Sequence, residues 1–298
     1  MNYSLSFVFS LLGMACVAGF FGALLGVGGG IFVVPALALA FHLPIKIAVA
    51  ASIVSVIATS NAGGSAYVEQ HISNLRLAMF LEIFTTGGAL VGAVLALFFN
   101  DWTISLIFSL LLAYLTYVSF STRNLDDKRI AENTFTNVKQ DRICAYLQLN
   151  GSYHDVAAGK DVAYVVTGAP AGMGIAALAG LASGLLGVGG GVLKVSALNR
   201  YMNVPMKVAV GTSKLMIGVT AAVGAILFFM AGLIHFMIVA PIAIGTTIGA
   251  TIGTTVMNRL RSAVLKLIFS GLLAYLSYAM FAKALELAFA IHLPYAGR

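Results

Sequence analysis

When the sequence is slid along itself by 161 positions, Gly19–Phe120 falls on Gly180–Phe281 without a gap. Roughly a third of the overlaid positions are identical, the mark of a duplicated structural unit. The identities span the whole unit. Gly26-Val27-Gly28-Gly29-Gly30 returns as Gly187-Val188-Gly189-Gly190-Gly191, and Pro44-Ile45-Lys46 as Pro205-Met206-Lys207. Ser52 falls on Ser213, Gly88 and Gly92 on Gly249 and Gly253, and Leu111–Tyr117 on Leu272–Tyr278. Any fold for this chain must be one that two copies of a single unit can build together.

The solvent of that fold follows from the balance of side chains. Apolar residues are 60% of the chain and charged residues 9%, with a mean hydropathy of +0.99. A water-soluble surface needs about 25% charge, so lipid surrounds most of this protein. The net charge of +7 comes from cations scattered between apolar runs, a topological signal rather than a nucleic-acid surface; no nucleic-acid partner is expected. Cys16 and Cys144 make neither a metal spacing nor a disulfide framework. Met1–Phe7 carries no Lys or Arg, so the first apolar run reads as a retained helix, not a cleaved signal.

In the first unit the apolar segments are Leu5–Leu25, Ile31–Phe41, Ile47–Val68, Leu75–Phe99 and Thr103–Phe120. Four approach the 20 or so residues that span a bilayer. Ile31–Phe41 rises only about 16 Å and follows the glycine break directly. The expected unit is therefore a re-entrant hairpin, broken at Gly26–Gly30, followed by three transmembrane helices; such non-helical backbone at depth must be buried or line a wet cavity. The matching hairpin runs from about Thr167 to Tyr201. Residues 1–120 form repeat 1, 121–161 a polar linker and 162–298 repeat 2. Asn150-Gly151 lies between Ile143–Leu149 and Tyr153–Val156, which suggests a small β-hairpin there; a disordered connector is the alternative.

A hairpin that returns to its own side leaves three crossings per unit, so the second unit is inverted. With the linker in the cytoplasm, Arg76, Arg200, Lys207, Arg259, Arg261 and Lys266 all fall inside and only Lys46 is out of place, in keeping with the positive-inside rule. Four crossings per unit would make the repeats parallel and export the linker, and charge alone does not exclude that. Short interrupted segments at matching places in two halves favour the inverted form.

Each glycine break frees the amides at the start of the next half-helix, where partial positive charge favours an anion. Gly28, Gly29, Gly30, Gly189, Gly190 and Gly191 are thus candidate binding residues; close helix packing is the bland reading. Lys194 sits just after the second break and Lys214 early in the next helix, beside Thr212 and Ser213. Their counterparts are Val33 and Ile53, so two positive charges break the repeat symmetry. Intramembrane charge marks function more often than not, although both lysines lie near enough to helix ends to snorkel. Ser52, Thr59 and Asn61 are candidate polar ligands, with Thr220 the mirror of Thr59, and Glu82 is a candidate coupling carboxylate. Gly88/Gly92 and Gly245/Gly249/Gly253 read as packing seams, and Pro241 as a loosened point in its helix. His42, His71, His154, His235 and His292 have no metal spacing, and no nucleophile–base set is visible. Neither enzyme chemistry nor a cofactor or metal is expected.

Two openings of the GxxGxGGG type about 160 residues apart, each followed by Pro-x-Lys-x-Ala-Val and a serine, resemble the sulfite exporter TauE/SafE family. The resemblance covers about Leu5 to Ala282; Ser196 departs from it where the first unit has Pro35. It implies an all-helical, multi-pass secondary transporter in a bacterial inner membrane that exports a small sulfur-bearing anion by alternating access. Sulfite, sulfoacetate, another organosulfonate, thiosulfate and sulfate are the candidates. A passive anion channel is the alternative. The expected partners are that anion, lipid, protons as a candidate coupling ion and a second copy of the chain as a homodimer.

Overall fold

The computed structural model describes residues 5–24, 28–69, 72–121, 135, 138, 140–155, 160–257 and 262–289. The first unit comprises α1 (Leu5–Leu24), α2 (Gly30–Leu39), α3 (Ile45–Glu69), α4 (Leu75–Phe98) and α5 (Asp101–Ser121). A short helix α6 (Arg142–Tyr146) and strands β1 (Gly151–Asp155) and β2 (Lys160–Tyr164) follow. The second unit is α7 (Ala169–Leu186), α8 (Gly191–Tyr201), α9 (Met206–Met230), α10 (Phe236–Met257) and α11 (Ser262–Phe289). Eight of these helices are long and apolar enough to cross a membrane. The other helices in the two units are α2, with 10 residues, and α8, with 11.

The breaks depend on glycine for a stereochemical reason. Gly28 and Gly29 have φ of 88° and 74°, and Gly187, Gly189 and Gly190 have 70°, 77° and 65°. An L side chain in that left-handed region costs about 1–2 kcal/mol per residue, and each break needs more than one such residue. Gly26 and Val27 lie outside the described residues. After each break the chain doubles back. The Phe7 ring, near the start of α1, meets Phe41 beyond the end of α2 at 5.6 Å. In the second unit the Thr167 amide donates to the Met202 carbonyl at 3.2 Å. Each half-helix thus returns to the end where its hairpin began.

The two units are wound through each other. Helix α1 lies along α10 and α4 along α7, while α5 packs on α11 and α3 on α9. Glycine seams allow the first two pairs. A Cβ at Gly249 would stand 1.9 Å from the Cys16 carbonyl oxygen, and one at Gly245 2.5 Å from that of Leu12. At Gly88 and Gly92 the carbonyls of Ala177 and Leu181 would each be 2.1 Å away. These pairs advance together along both helices, so α1 runs parallel to α10 and α4 to α7. Helices α3 and α9 cross head to tail: Ile53 meets Gly224, whereas Ser60 meets Gly218. Helix α10 continues through Pro241 without interruption.

Large apolar side chains such as Met79, Ile83, Phe98, Leu110 and Phe229 are exposed on the outer surface, as a lipid-facing bundle requires. At the end away from the linker, Lys46 Nζ donates to the Leu97 carbonyl at 2.8 Å and Lys283 Nζ to that of Ala38 at 2.6 Å. Both ammoniums cap the closing carbonyls of a helix, which explains a cation at the position of Lys46.

The linker contains the β-hairpin expected from sequence, with different strands. Gly151 pairs with Tyr164 and Asp155 with Lys160, so Asn150-Gly151 opens the hairpin instead of turning it. Residues 143–149 include helix α6, not a strand. The helical turn lets Cys144 and Leu149 join a core with Leu77, Leu81, Tyr153, Tyr164 and Met202, and Asn150 Oδ1 accepts from the Val166 amide at 2.9 Å. Asn74 Nδ2 donates to the Leu149 carbonyl at 2.8 Å and to Tyr164 Oη at 3.0 Å, while Asn203 Nδ2 donates to the Phe135 and Val165 carbonyls. The linker is therefore folded onto both units, not a loose connector across its described part. Burial, and secondly the charge of Asp141, push the Cys144 thiol above its usual range. Thiolate is the reactive form, so Cys144 is expected to resist maleimide at neutral pH in the folded protein and to react fully after denaturation, as read by mass spectrometry.

Candidate functional site

The tips of the two hairpins meet at the centre of the bundle. A Cβ on Gly30 would lie 2.6 Å from the Gly187 carbonyl oxygen, and Gly28 and Gly189 both face Val56 of α3 and Ile217 of α9. Val56 and Ile217 are overlaid positions of the repeat, so the two units present equivalent residues to the tips. Ser52 Oγ is buried where the breaks touch, 2.7 Å from the Gly187 carbonyl and 3.3 Å from that of Gly30. Its counterpart Ser213 lies 3.3 Å from the Gly191 carbonyl. The two serines tie non-helical backbone to the long helices, which removes part of the cost of burying it.

Much of the hydrogen-bonding capacity at the breaks is used locally. The Gly30 amide donates to the Gly28 carbonyl at 2.9 Å, and the amides of Phe32 and Val33 to that of Gly29 at 3.0 and 3.2 Å. In the second break the Lys194 amide donates to the Gly190 carbonyl at 3.0 Å. Thr59 Oγ1 donates to the Gly28 carbonyl at 3.0 Å. Polar side chains, rather than half-helix amides alone, must supply much of any attraction for a ligand.

Such side chains surround a cavity of about 40 Å3 below the first tip. On this scale one water needs roughly 10–15 Å3, so the space suits a few waters or one small oxyanion. Gly22, Gly28, Thr59, Ser60, Lys214 and Thr251 line it with Ala23, Ala62, Ile217 and Ala250. Residues 59–62 continue α3 from the tip towards its linker end, so the cavity lies on the linker side of the break. Lys214 is 5% exposed, and its ammonium carries three donors. Ser60 Oγ donates to the carbonyl of Lys214, tying α3 to α9 at the cavity wall.

The remaining sequence candidates divide. Gly28 and Lys214 are in the wall; Gly29, Gly30, Ser52 and Gly189 shape the junction of the tips. Asn61 is exposed one residue beyond Ser60. Gly190 packs on the Ala179 carbonyl, and Thr212 accepts a bond from the Asn74 amide at 3.0 Å, towards the linker. Lys194, 2% exposed, is not among the cavity-lining residues. Its Nζ donates to Thr220 Oγ1 at 2.7 Å, and that hydroxyl donates to Glu82 Oε1 at 2.8 Å. Thr85 and Thr86 also donate to the Glu82 carboxylate, at 2.9 and 3.1 Å. The two lysines thus serve different groups. Ser60 and Thr251 were not legible as wall residues, although Thr59-Ser60-Asn61 is an unusual polar run within an apolar helix. Among the described residues no cluster of His, Cys, Asp and Glu could hold a metal ion.

The chain is 25% identical over 271 residues to "Probable membrane transporter protein YunE" of Bacillus subtilis (strain 168), covering 89% of this chain and 93% of the relative. It is 26% identical over 259 residues to "Probable membrane transporter protein YdhB" of the same organism, covering 87% and 91%. No solved structure matches at comparable stringency. The family description "Sulfite exporter TauE/SafE" matches residues 11–280. With eight helices long and apolar enough to span a membrane, two glycine-broken hairpins meeting at their centre and a family match over nearly its whole length, this multi-pass membrane transporter belongs to the sulfite exporter TauE/SafE family.

Proposed function

We propose that the protein exports a small sulfur-bearing anion, such as sulfite, sulfoacetate, another organosulfonate, thiosulfate or sulfate, by alternating access between its two repeats. The observation that carries this reading is Lys214, a buried ammonium in the wall of a cavity sized for one oxyanion at the tip of a broken helix. A charge-assisted bond in such a site is about twice as strong as a neutral one. Gly28, Thr59, Ser60 and Thr251 complete the first binding position, with Ser52, Asn61, Thr212, Ser213 and the glycines at the tips as its supports. The boundaries 1–120, 121–161 and 162–298 define the repeats and linker that take part.

The repeats are inverted in this reading. Its support is that both hairpins return to their own end and that α1 and α4 run parallel to the helices they meet in the other repeat, while α3 and α9 are antiparallel. With the linker in the cytoplasm, the cavity faces inward, as loading an exporter requires, and rocking one repeat against the other would expose the centre alternately. The setting is the bacterial plasma membrane, with a homodimer as the assembly.

Flux of radiolabelled sulfite, thiosulfate, sulfoacetate and sulfate into proteoliposomes tests the proposal. Saturable uptake accelerated by the same anion trapped inside is the expected result for a carrier. Flux that rises linearly with concentration and ignores the trapped anion would identify a channel instead. No protein-dependent flux of any of the four would refute the substrate class.

A further inference from the structure

The repeat relation maps the threonine beside the first break onto a second place in the molecule, and the chemistry there is different. Thr59 falls on Thr220, Gly28 on Gly189, Lys214 on Ile53, Val33 on Lys194 and Ala243 on Glu82. In the first unit the threonine hydroxyl donates to the glycine of the break. In the second, Thr220 Oγ1 accepts from the Lys194 ammonium at 2.7 Å and donates to the Glu82 carboxylate at 2.8 Å. A positive charge is therefore present beside both threonines, arriving from the half-helix in one case and from the following helix in the other. The second is joined through its threonine to an acid.

Resting on the transport reading above, we infer that Lys194 and Thr220 form a second station for the same anion, beside the second break, and that protonation of Glu82 opens it. With Glu82 ionised, Lys194 is neutralised through Thr220 and an incoming anion would meet a carboxylate. A proton taken from water by a Glu82 carboxylate oxygen leaves that acid neutral, and the cluster then carries the net positive charge of Lys194. The Thr220 hydroxyl, which also has the Met216 carbonyl in reach at 2.8 Å, is then no longer held by the Glu82 charge. Anion and proton thus occupy the station together, which couples their movement.

Other charges do not substitute for this pair. Helix α7 has no titratable side chain. Arg76 on α4 and Arg200 on α8 lie towards the linker ends of their helices, and Lys207 at the start of α9. Lys46 on α3 is bonded to the Leu97 carbonyl at the far end, and Lys214 on α9 lines the first cavity.

Calorimetric titration of the purified full-length protein with thiosulfate, doubly charged between roughly pH 5 and 8, tests the station through one-proton linkage. A Lys214→Ala background disables the first position. Binding in that background should tighten as pH falls, by up to about tenfold per pH unit. Adding Glu82→Gln should hold the tight value at every pH, and adding Lys194→Met should remove binding throughout. Lys194→Arg keeps the charge and should restore low-pH binding, which separates loss of the cation from loss of the fold. PH dependence that survives Glu82→Gln, or tight binding that survives Lys194→Met, would overturn the inference. Wild-type binding with none in the Lys214→Ala background at any pH would overturn it while leaving the transport reading intact. Absence of thiosulfate binding to the wild type would remove both.

Discussion

Lys214→Ala is expected to weaken anion binding by roughly tenfold to a hundredfold at neutral pH, with transport at low anion concentration reduced in proportion. The magnitude is that of a hydrogen bond to a charged group, about 1.5–3 kcal/mol, at 1.4 kcal/mol per factor of ten. Lys214 is 5% exposed and lines the cavity beside Thr59 and Ser60, so bulk water does not screen it as it would a surface lysine. Lys214→Arg keeps the charge but places a wider, planar group in a cavity of about 40 Å3, and should retain binding with a poorer fit. Initial rates over a concentration series decide the matter. Unchanged uptake by Lys214→Ala at subsaturating anion would remove this lysine from the site.

Gly180→Val should be the most damaging single change to the fold among these proposals. A Cβ at Gly180 would lie 2.0 Å from the Thr85 carbonyl oxygen and 2.8 Å from its Cα. Backbone cannot swing away as a side-chain tip can, so α4 and α7 must separate along their seam. Overpacking of this kind costs about 3 kcal/mol or more. Thr85 also donates to Glu82, so the displacement reaches the Lys194–Thr220–Glu82 group as well. Gly87 and Gly174 are the internal controls. Nothing approaches a Cβ at either position within 4 Å, and Ala there should be neutral or stabilising by a few tenths of a kcal/mol. Thermal midpoints in detergent will rank the three variants; a Gly180→Val protein that melts with the controls would contradict the packing of the seam.

Much of the fold was legible because lipid restricts the choices. Backbone inside a bilayer must satisfy its own hydrogen bonds, so apolar runs of spanning length become helices, and a glycine break followed by a short run becomes a re-entrant hairpin. The repeat then fixes the correspondence between the two units. The seams at Gly88/Gly92 and Gly245/Gly249/Gly253 were readable for the same reason, since small residues at helical spacing have few uses in a membrane other than close approach. The linker was less legible. Residues 143–149 carry apolar side chains that suit either a strand or a turn of helix, and contact with α4 and α8 decided for the helix.

By itself, then, the sequence determined a lipid-embedded, duplicated helical architecture with two broken hairpins, because those features follow from composition, length and periodicity along one chain. The tertiary structure alone decided the partners. Lys194 and Lys214 both follow the second break and both looked able to reach one anion, yet helix rotation sends Lys214 to the cavity and Lys194 to Thr220. Glu82 finds that same threonine from 138 residues away. Direction around a helix axis, and which helix lies opposite, are set by packing between distant segments. No local spacing encodes them.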